Sequence, residues 1–130
     1  MPHKGPMQLI KTITKMDEGS IHAEPTDHMN PDFPLRLDGM LYTSALVELG
    51  AQAAAAHASI HGVGGAHAGL VLAVSNVVLH TQEAPEAPLQ VQAQRVAGMD
   101  QSARYTFQVS TRGEPLAEGE LLLSMQERPE

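Results

Sequence analysis

Apolar and polar positions alternate over much of the chain, and the alternation predicts strands on both sides of one helix. Residues 7–16 carry β-branched side chains in partial alternation, and turn residues at 17–20 lead into a second strand at 21–24. Two further alternating segments, separated by a turn, occupy residues 89–94 and 102–109, and a turn at 112–114 leads into a last strand at 116–125. We therefore expect a hairpin at the start of the chain and a series of antiparallel strands at its end.

The middle of the chain predicts one long helix. No proline occurs between residues 42 and 61. One stripe with helical spacing is formed by Ala45, Leu49, Ala53, Ala56 and Ile60. We expect Thr43 or Ser44 to cap the start of this helix, and His61 with Gly62 to end it.

The predicted helix is slender, because nearly every residue from Gly50 to Ala58 is Gly or Ala. A sheet can close tightly around such a helix, whereas packing on a flat sheet needs bulkier side chains. The nearly continuous apolar run at 69–80 predicts a strand that is buried on both faces. The sequence therefore predicts an α+β fold with one long central helix, wrapped by a curved antiparallel sheet of about six strands, in a single domain spanning 1–130.

Charge and composition exclude several classes of function. The chain has 130 residues, with 8 Lys and Arg against 15 Asp and Glu, and its net charge of −7 argues against a nucleic-acid partner. It contains no Cys, so disulfides and zinc-thiolate sites are excluded and a cytoplasmic setting is expected. We find no secretory signal and no apolar run near the ~18 residues that span a bilayer, so no membrane association is expected. We also expect no cofactor and no metal.

Four strings resemble one family over nearly the whole chain. They are Pro2 to Met7, Asp32-Phe33-Pro34, Leu46 to Ala53, and Gly113 to Leu121. In this order they are similar to motifs of the β-hydroxyacyl-acyl carrier protein dehydratases of the hotdog superfamily, including the divergent group found in aryl polyene clusters. The chain differs from the family in having Asp32 where the dehydratases have a catalytic His, and in lacking their Pro-Gly pair at the helix start.

The resemblance implies a dehydratase of (3R)-3-hydroxyacyl thioesters, carried by acyl carrier protein or coenzyme A, in fatty acid, polyene or polyketide-type synthesis. It also implies active sites between two subunits, in a homodimer or a dimer of dimers. An acidic acyl carrier protein would need a local basic patch on this acidic chain, for which Lys4, Lys11, Arg36 and Arg95 are the candidates.

Glu48 is the first catalytic candidate, because it matches the carboxylate of the family's helix signature. Its helical face carries small residues and Gln52, so we expect it to be partly shielded from water and to exchange a proton with the substrate. The alternative is an exposed Glu that is favoured by the dipole of the first helical turn. Gln52 is a substrate-binding candidate, and we expect it to support the site by packing and hydrogen bonding.

His28 is the second catalytic candidate, in a loop near the place from which the dehydratase His would come. Its imidazole can remove the acidic proton next to a thioester carbonyl, although an isolated loop His is more often solvated. Thr43 and Ser44 are the substrate-binding candidates, because free N–H groups at the helix start polarise a carbonyl oxygen.

Two other functions stay open. A hotdog thioesterase needs only a helix carboxylate, such as Glu48, that directs water at the thioester carbonyl. A non-catalytic hotdog subunit would pair with an active dehydratase or bind an acyl carrier.

Overall fold

The computed structural model describes residues 9–25, 28–30, 32–61, 66–99 and 102–127. The strands are β1 (Ile10–Met16), β2 (Ser20–Pro25), β3 (Ala66–Leu79), β4 (Gln90–Met99), β5 (Ser102–Thr111) and β6 (Glu114–Glu127), and a 3-10 turn (Thr43–Leu46) leads into the helix α1 (Val47–His61). The predicted hairpin, helix and following strands are confirmed. The string from Pro2 to Met7, with Lys4, lies outside the described residues.

The six strands form one sheet that encloses the helix. Their order is β1-β2-β4-β5-β6-β3, and every neighbouring pair is antiparallel. Helix α1 contacts all six strands, so the sheet must curve around it. The predicted architecture of one helix wrapped by an antiparallel sheet of six strands is confirmed.

The core lies between α1 and the concave face of the sheet. Along β5 buried residues alternate with partly exposed ones, as expected for a strand with one face on the core. The buried positions of the helix segment are Leu46, Leu49, Gly50, Ala53, Ala54, His57 and Ala58. The predicted stripe is therefore wrong at its end, since Ile60 is 62% exposed. Nearly uniform Ala and Gly give little contrast between faces, and contact with the sheet decides which face is buried.

The prediction that β3 is buried on both faces is wrong for residues 73–79, all of which are exposed. β3 lies at one edge of the sheet, with β6 as its hydrogen-bonded neighbour. Val74, Val77, Val78 and Leu79 are each 40–48% exposed. An apolar run indicates burial, but it does not tell whether the same chain or another chain provides the cover.

The segment before the helix is attached to the connection between β3 and β4. Tyr42 forms a bridge with Glu83, and the Ala84 N–H donates to the Leu41 carbonyl at 2.8 Å. Within this segment Asp38 and Gly39 both have positive φ and form a two-residue turn between Leu37 and Met40, as Asp-Gly pairs favour. Residues 37–42 thus form a layer beside the helix start, together with the connection between β3 and β4.

Candidate functional site

The helix begins without a side-chain cap. Tyr42 occupies the N-cap position of the 3-10 turn that leads into α1, and its side chain makes no capping bond. Thr43 and Ser44 lie within this turn, so the expectation that one of them caps the start of the helical segment is wrong. Thr43 is buried, its hydroxyl donates to the Thr81 carbonyl, and its N–H donates to the Gln82 carbonyl at 3.0 Å. Pairing with the β3–β4 connection therefore uses the Thr43 N–H that we expected to meet a thioester oxygen. Ser44 is exposed.

Glu48 is exposed at the start of α1. It is the second residue of the helix and the acidic residue of its first turn, where the helix dipole favours a negative charge. Its neighbours Val47 and Leu49 are more buried, and Leu49 is fully enclosed. Within one chain the sheet covers the opposite face of the helix and does not shield Glu48, and the expected shielding by a second subunit stays a prediction.

Gln52 lies one turn after Glu48 on the same side of the helix. Its Oε1 accepts a hydrogen bond from the N–H of Leu9 at 2.9 Å, and Leu9 is buried just before β1. This bond fixes the start of the first strand to the helix. Gln52 thus has a supporting role in the fold, and its contact with substrate stays a prediction.

His28 is buried, with 8% of its surface exposed, and is not a solvated loop residue. Its Nε2 lies 2.8 Å from the Ala87 carbonyl oxygen, which can only accept, so Nε2 carries the proton. In the neutral ring Nδ1 is then the acceptor. The structure therefore attaches His28 to the end of the β3–β4 connection, whose beginning contacts Thr43.

Arg36 connects the segment before the helix to the connection between β3 and β4 through three hydrogen bonds, and the sequence did not predict this role. Only 4% of its side chain is exposed. Its Nε donates to the His28 carbonyl at 3.0 Å, and its two terminal nitrogens donate to the Gly39 carbonyl at 2.8 Å and to Glu86 Oε2 at 3.0 Å. Arg36 is consequently not available for a basic surface patch, contrary to expectation. The sequence feature that could have indicated this role is a single Arg within a loop that is rich in Pro and Asp.

Asp32 occupies the position at which the dehydratases carry their catalytic His. Its side chain is exposed, and its N–H donates to Asn30 Oδ1 at 2.8 Å. Phe33, next to it, is buried in the core. The motif therefore keeps its anchoring aromatic residue and presents a carboxylate where the family presents an imidazole.

A buried imidazole lies at the other end of the helix. His57 Nε2 donates to the Asp17 carbonyl at 2.9 Å, and Nδ1 lies 2.6 Å from the Tyr105 hydroxyl, which donates to it. Both rings are fully enclosed, and burial raises the pKa of Tyr105 to about 12. These bonds join α1, β5 and the β1–β2 turn, and they occupy both nitrogens of His57.

A polar groove of about 490 Å³ lies on the convex face of the sheet, away from Glu48. It is lined by side chains that include His22, Gln92, Gln94, Gln108, Glu118 and Glu120. Nearby, His80 Nε2 lies 2.5 Å from Glu118 Oε2. Most of the lining side chains are polar, with amides and carboxylates prominent, so the groove suits an acyl chain poorly.

The structure thus brings Thr43, Ser44, Glu48 and Gln52 to one end of the helix, and places His28 in the adjoining loop layer. In the part of the chain that is described, no helix is long and apolar enough to cross a membrane.

Comparisons with known proteins agree on the architecture. The family model described as ApeP-like, ApeP dehydratase, matches residues 1–129. No curated protein matches the chain. The dehydratase heterocomplex ApeI:P from Xenorhabdus doucetiae has a chain of 20% identity and TM-score 0.77, with 98% of this chain and 89% of that chain covered.

Two thioesterases are also similar in structure. That of Haemophilus influenzae has 17% identity and TM-score 0.72, with 91% of this chain and 79% of that chain covered. A mutant thioesterase of Pseudomonas aeruginosa has 15% identity and TM-score 0.69, with 90% and 81% covered. At these identities the likeness concerns the fold, which is the hotdog fold expected from the sequence.

Proposed function

The chain belongs to the ApeP-like family of dehydratases, and from this premise we propose that it removes water from a (3R)-3-hydroxyacyl thioester to give a 2-enoyl thioester. The proposed substrate is carried by acyl carrier protein or by coenzyme A, in fatty acid, polyene or polyketide-type synthesis. A cytoplasmic setting, expected for a chain without Cys, is part of the same proposal.

The position of Glu48 is the observation that carries this proposal. Glu48 lies in the first turn of the central helix, on the face that the sheet of the same chain leaves uncovered. Its carboxylate is therefore directed at any subunit or substrate that covers this face. In its protonated form Glu48 would give its proton to the departing hydroxyl group, which then leaves as water. Ser44, exposed on the 3-10 turn, remains the proposed contact of the thioester at the helix start.

His28 is the proposed base. Its Nε2 is held by the Ala87 carbonyl, so the ring orientation is fixed and Nδ1 can accept a proton. It would take the proton from the carbon next to the thioester carbonyl, while the carbon–oxygen bond to the hydroxyl group breaks. Because His28 is buried, substrate must reach it past the segment before the helix, which the hydrogen bonds of Arg36 hold in place.

A second copy of this chain is the proposed cover of the exposed helix face. From Ala66 to Leu79 β3 contains no charged residue and no Pro. Edge strands that face water usually carry charged residues or Pro, because these prevent the edge from pairing with a strand of another chain. Residues 73–79 of β3 also expose apolar side chains, and β3 contacts α1. A homodimer through β3, or a dimer of such dimers, would therefore enclose Glu48 in a cleft between subunits.

One assay tests the activity. The purified protein is given 3-hydroxyacyl, 2-enoyl and saturated acyl thioesters on both carriers, and hydration, dehydration and thiol release are followed separately. We expect reversible interconversion of the first two, and Glu48→Gln should lower its rate at least about a hundredfold, since general acid catalysis contributes that much or more. Glu24→Gln makes the same chemical change at an exposed position of β2 and should keep the parental rate. Full activity of the Glu48→Gln variant would refute the assignment.

A thioesterase is the second candidate. An exposed helix carboxylate is sufficient to direct water at a thioester carbonyl, and two of the similar folds are those of thioesterases. Thiol release from the saturated thioester without hydration of the enoyl thioester would favour it.

A non-catalytic subunit is the third candidate. Asp32 stands where the family has its His, and ApeI:P is a heterocomplex. Inactivity of this protein alone on every thioester would favour this subunit role.

A further inference from the structure

Two separate hydrogen bonds hold His28, one at its ring and one at its backbone. The ring nitrogen Nε2 donates to the Ala87 carbonyl at 2.8 Å, and the His28 carbonyl accepts from Arg36 Nε at 3.0 Å. The same guanidinium also reaches Glu86, since its Nη2 donates to Oε2 of that residue at 3.0 Å. Because Glu86 and Ala87 are adjacent in the chain, both bonds lead from His28 to one dipeptide. They close a ring of contacts that includes the imidazole.

The dipeptide at which both bonds end lies in a stiff segment. It is flanked by Pro85 and Pro88, whose side-chain rings fix the backbone angle φ. The Ala87 N–H donates to the Pro85 carbonyl at 2.9 Å. The hydroxyl of buried Thr111, at the end of β5, donates to the Pro88 carbonyl at 2.7 Å. The Ala87 carbonyl is therefore anchored to the sheet, and it gives the imidazole a fixed reference point.

Two turns bring Arg36 back to His28. The Phe33 N–H donates to the Asn30 carbonyl at 2.9 Å, and the Arg36 N–H donates to the Phe33 carbonyl at 2.9 Å. Phe33 is buried in the core, so the point between the two turns is anchored. Arg36 Nη1 also donates to the Gly39 carbonyl, and because the guanidinium is buried its bonds are protected from competing water.

We propose that Arg36 is a positioning residue for the base: it fixes the backbone of His28, so that the imidazole keeps one tautomer and one place in the site. This rests on the proposed function, in which His28 takes a proton from the substrate. The planar guanidinium directs several donors at fixed acceptors at once, whereas the ammonium group of Lys has no such fork. A shift of about 1 Å in a reacting group can lower the rate about a hundredfold, so the backbone bond matters for the chemical step.

A purely structural role of Arg36 makes different predictions. It would lower the free energy of unfolding when Arg36 is replaced, but the folded protein would keep its tautomer and its rate constant. The positioning role requires both to change in the folded protein. Without the bond from Arg36 the His28 backbone is free to shift, the ring leaves the Ala87 carbonyl, and this acceptor no longer selects the Nε2–H tautomer.

Nitrogen NMR tests the ring without any substrate. In the full-length protein with isotope-labelled histidine, proton–nitrogen correlations distinguish the two tautomers, and His28→Gln identifies the signal of this residue. At a pH where the ring is neutral, we expect the Nε2–H tautomer in the parent and a mixture of both tautomers in Arg36→Gln. Arg104→Gln makes the same change at an exposed position of β5 and should keep the parental signal.

Hydration of an enoyl thioester tests the chemical step. Arg36→Gln should lower kcat at least about tenfold and change KM less than about threefold, because Arg36 positions the base and does not contact substrate. Glu86→Gln keeps an oxygen that accepts from Nη2, so its kcat should stay within about threefold of the parent. Arg104→Gln again serves as the control and should keep both constants.

A double-mutant cycle shows whether Arg36 acts through His28. In a His28→Ala background the base is absent, so adding Arg36→Gln should lower kcat less than about threefold. The full loss of Arg36→Gln in that background would overturn the proposal, because Arg36 would then act on the reaction by another route. Circular dichroism checks that each variant is folded.

The outcomes separate this proposal from the proposed function. A parent without hydration activity refutes the dehydratase, and the NMR comparison still tests the position of the ring. A folded Arg36→Gln variant with one tautomer and the parental kcat overturns the positioning role, even when its free energy of unfolding falls. A parent with mainly the Nδ1–H tautomer overturns it as well. If Arg36→Gln does not fold, Arg36→Lys takes its place, and an unchanged tautomer and kcat in that variant decide in the same way.

Discussion

Helix and sheet approach each other closely at Gly50, and replacing this residue by Ala should destabilise the protein. A Cβ at Gly50 would lie 2.4 Å from Cδ2, 2.6 Å from Cγ and 2.9 Å from Cβ of Phe107. All three separations are far below the ~3.5–4.0 Å at which carbon atoms attract. The Phe107 Cβ is held by its backbone, so rotation of the ring does not remove that contact.

The ring also has little room to withdraw. On its other side Gly119 approaches it so closely that a Cβ there would lie 2.9 Å from Phe107 Cε1. Two glycines on different elements thus accommodate one aromatic ring, and a methyl group at either position requires the Phe107 side chain or the backbone to shift.

Two opposing terms decide the size of the effect. Ala is favoured over Gly within a helix by about 1 kcal/mol. Overpacking of a core costs about 1–3 kcal/mol, and three contacts below 3.0 Å place this site at the upper end. We therefore expect Gly50→Ala to lower the free energy of unfolding by about 1–2 kcal/mol.

Urea unfolding followed by circular dichroism, at one fixed protein concentration, measures this difference. Ala51→Gly, at a partly exposed neighbouring position, reports the helix propensity alone and should cost about 1 kcal/mol. Phe107→Leu shortens the obstructing side chain, so Gly50→Ala should cost less in that background. A Gly50→Ala variant as stable as the parent, or more stable, would show that the close approach does not constrain this position.

Two further predictions concern the buried histidines. Tyr105→Phe removes a partner of His57 and should cost about 1–3 kcal/mol. Because burial raises the pKa of Tyr105 to about 12, the unfolded chain ionises first above about pH 10, so the parent should lose stability between those pH values. The variant should lack this loss in urea titrations across that range, and a parent of constant stability there would contradict the argument. His28→Ala should lower hydration of an enoyl thioester at least about a hundredfold while the protein remains folded, and an unimpaired variant would exclude His28 as the base.

The sequence by itself determined the elements and their order. Apolar and polar residues alternate in residues 89–94 and 102–109, and this alternation indicates strands. It can be recognised from the sequence because the repeat lies within each segment and does not depend on distant residues. The proline-free stretch before His61 determined the helix in the same way. The small residues of that helix also predicted a sheet wrapped around it, since the direct contact of Gly50 with Phe107 requires the absence of a side chain.

Only the tertiary structure decided which surface each residue occupies. An apolar run at β3 is compatible with a central strand or an edge. Among the described residues β3 pairs with β6 alone, which makes it an edge. Glu48 is exposed because the sheet covers the opposite side of a helix whose own composition hardly distinguishes its faces. His28 is buried against Ala87, which lies 59 residues further along the chain. Such contacts depend on how distant segments meet, and a local pattern of hydrophobic and polar residues carries no information about that meeting.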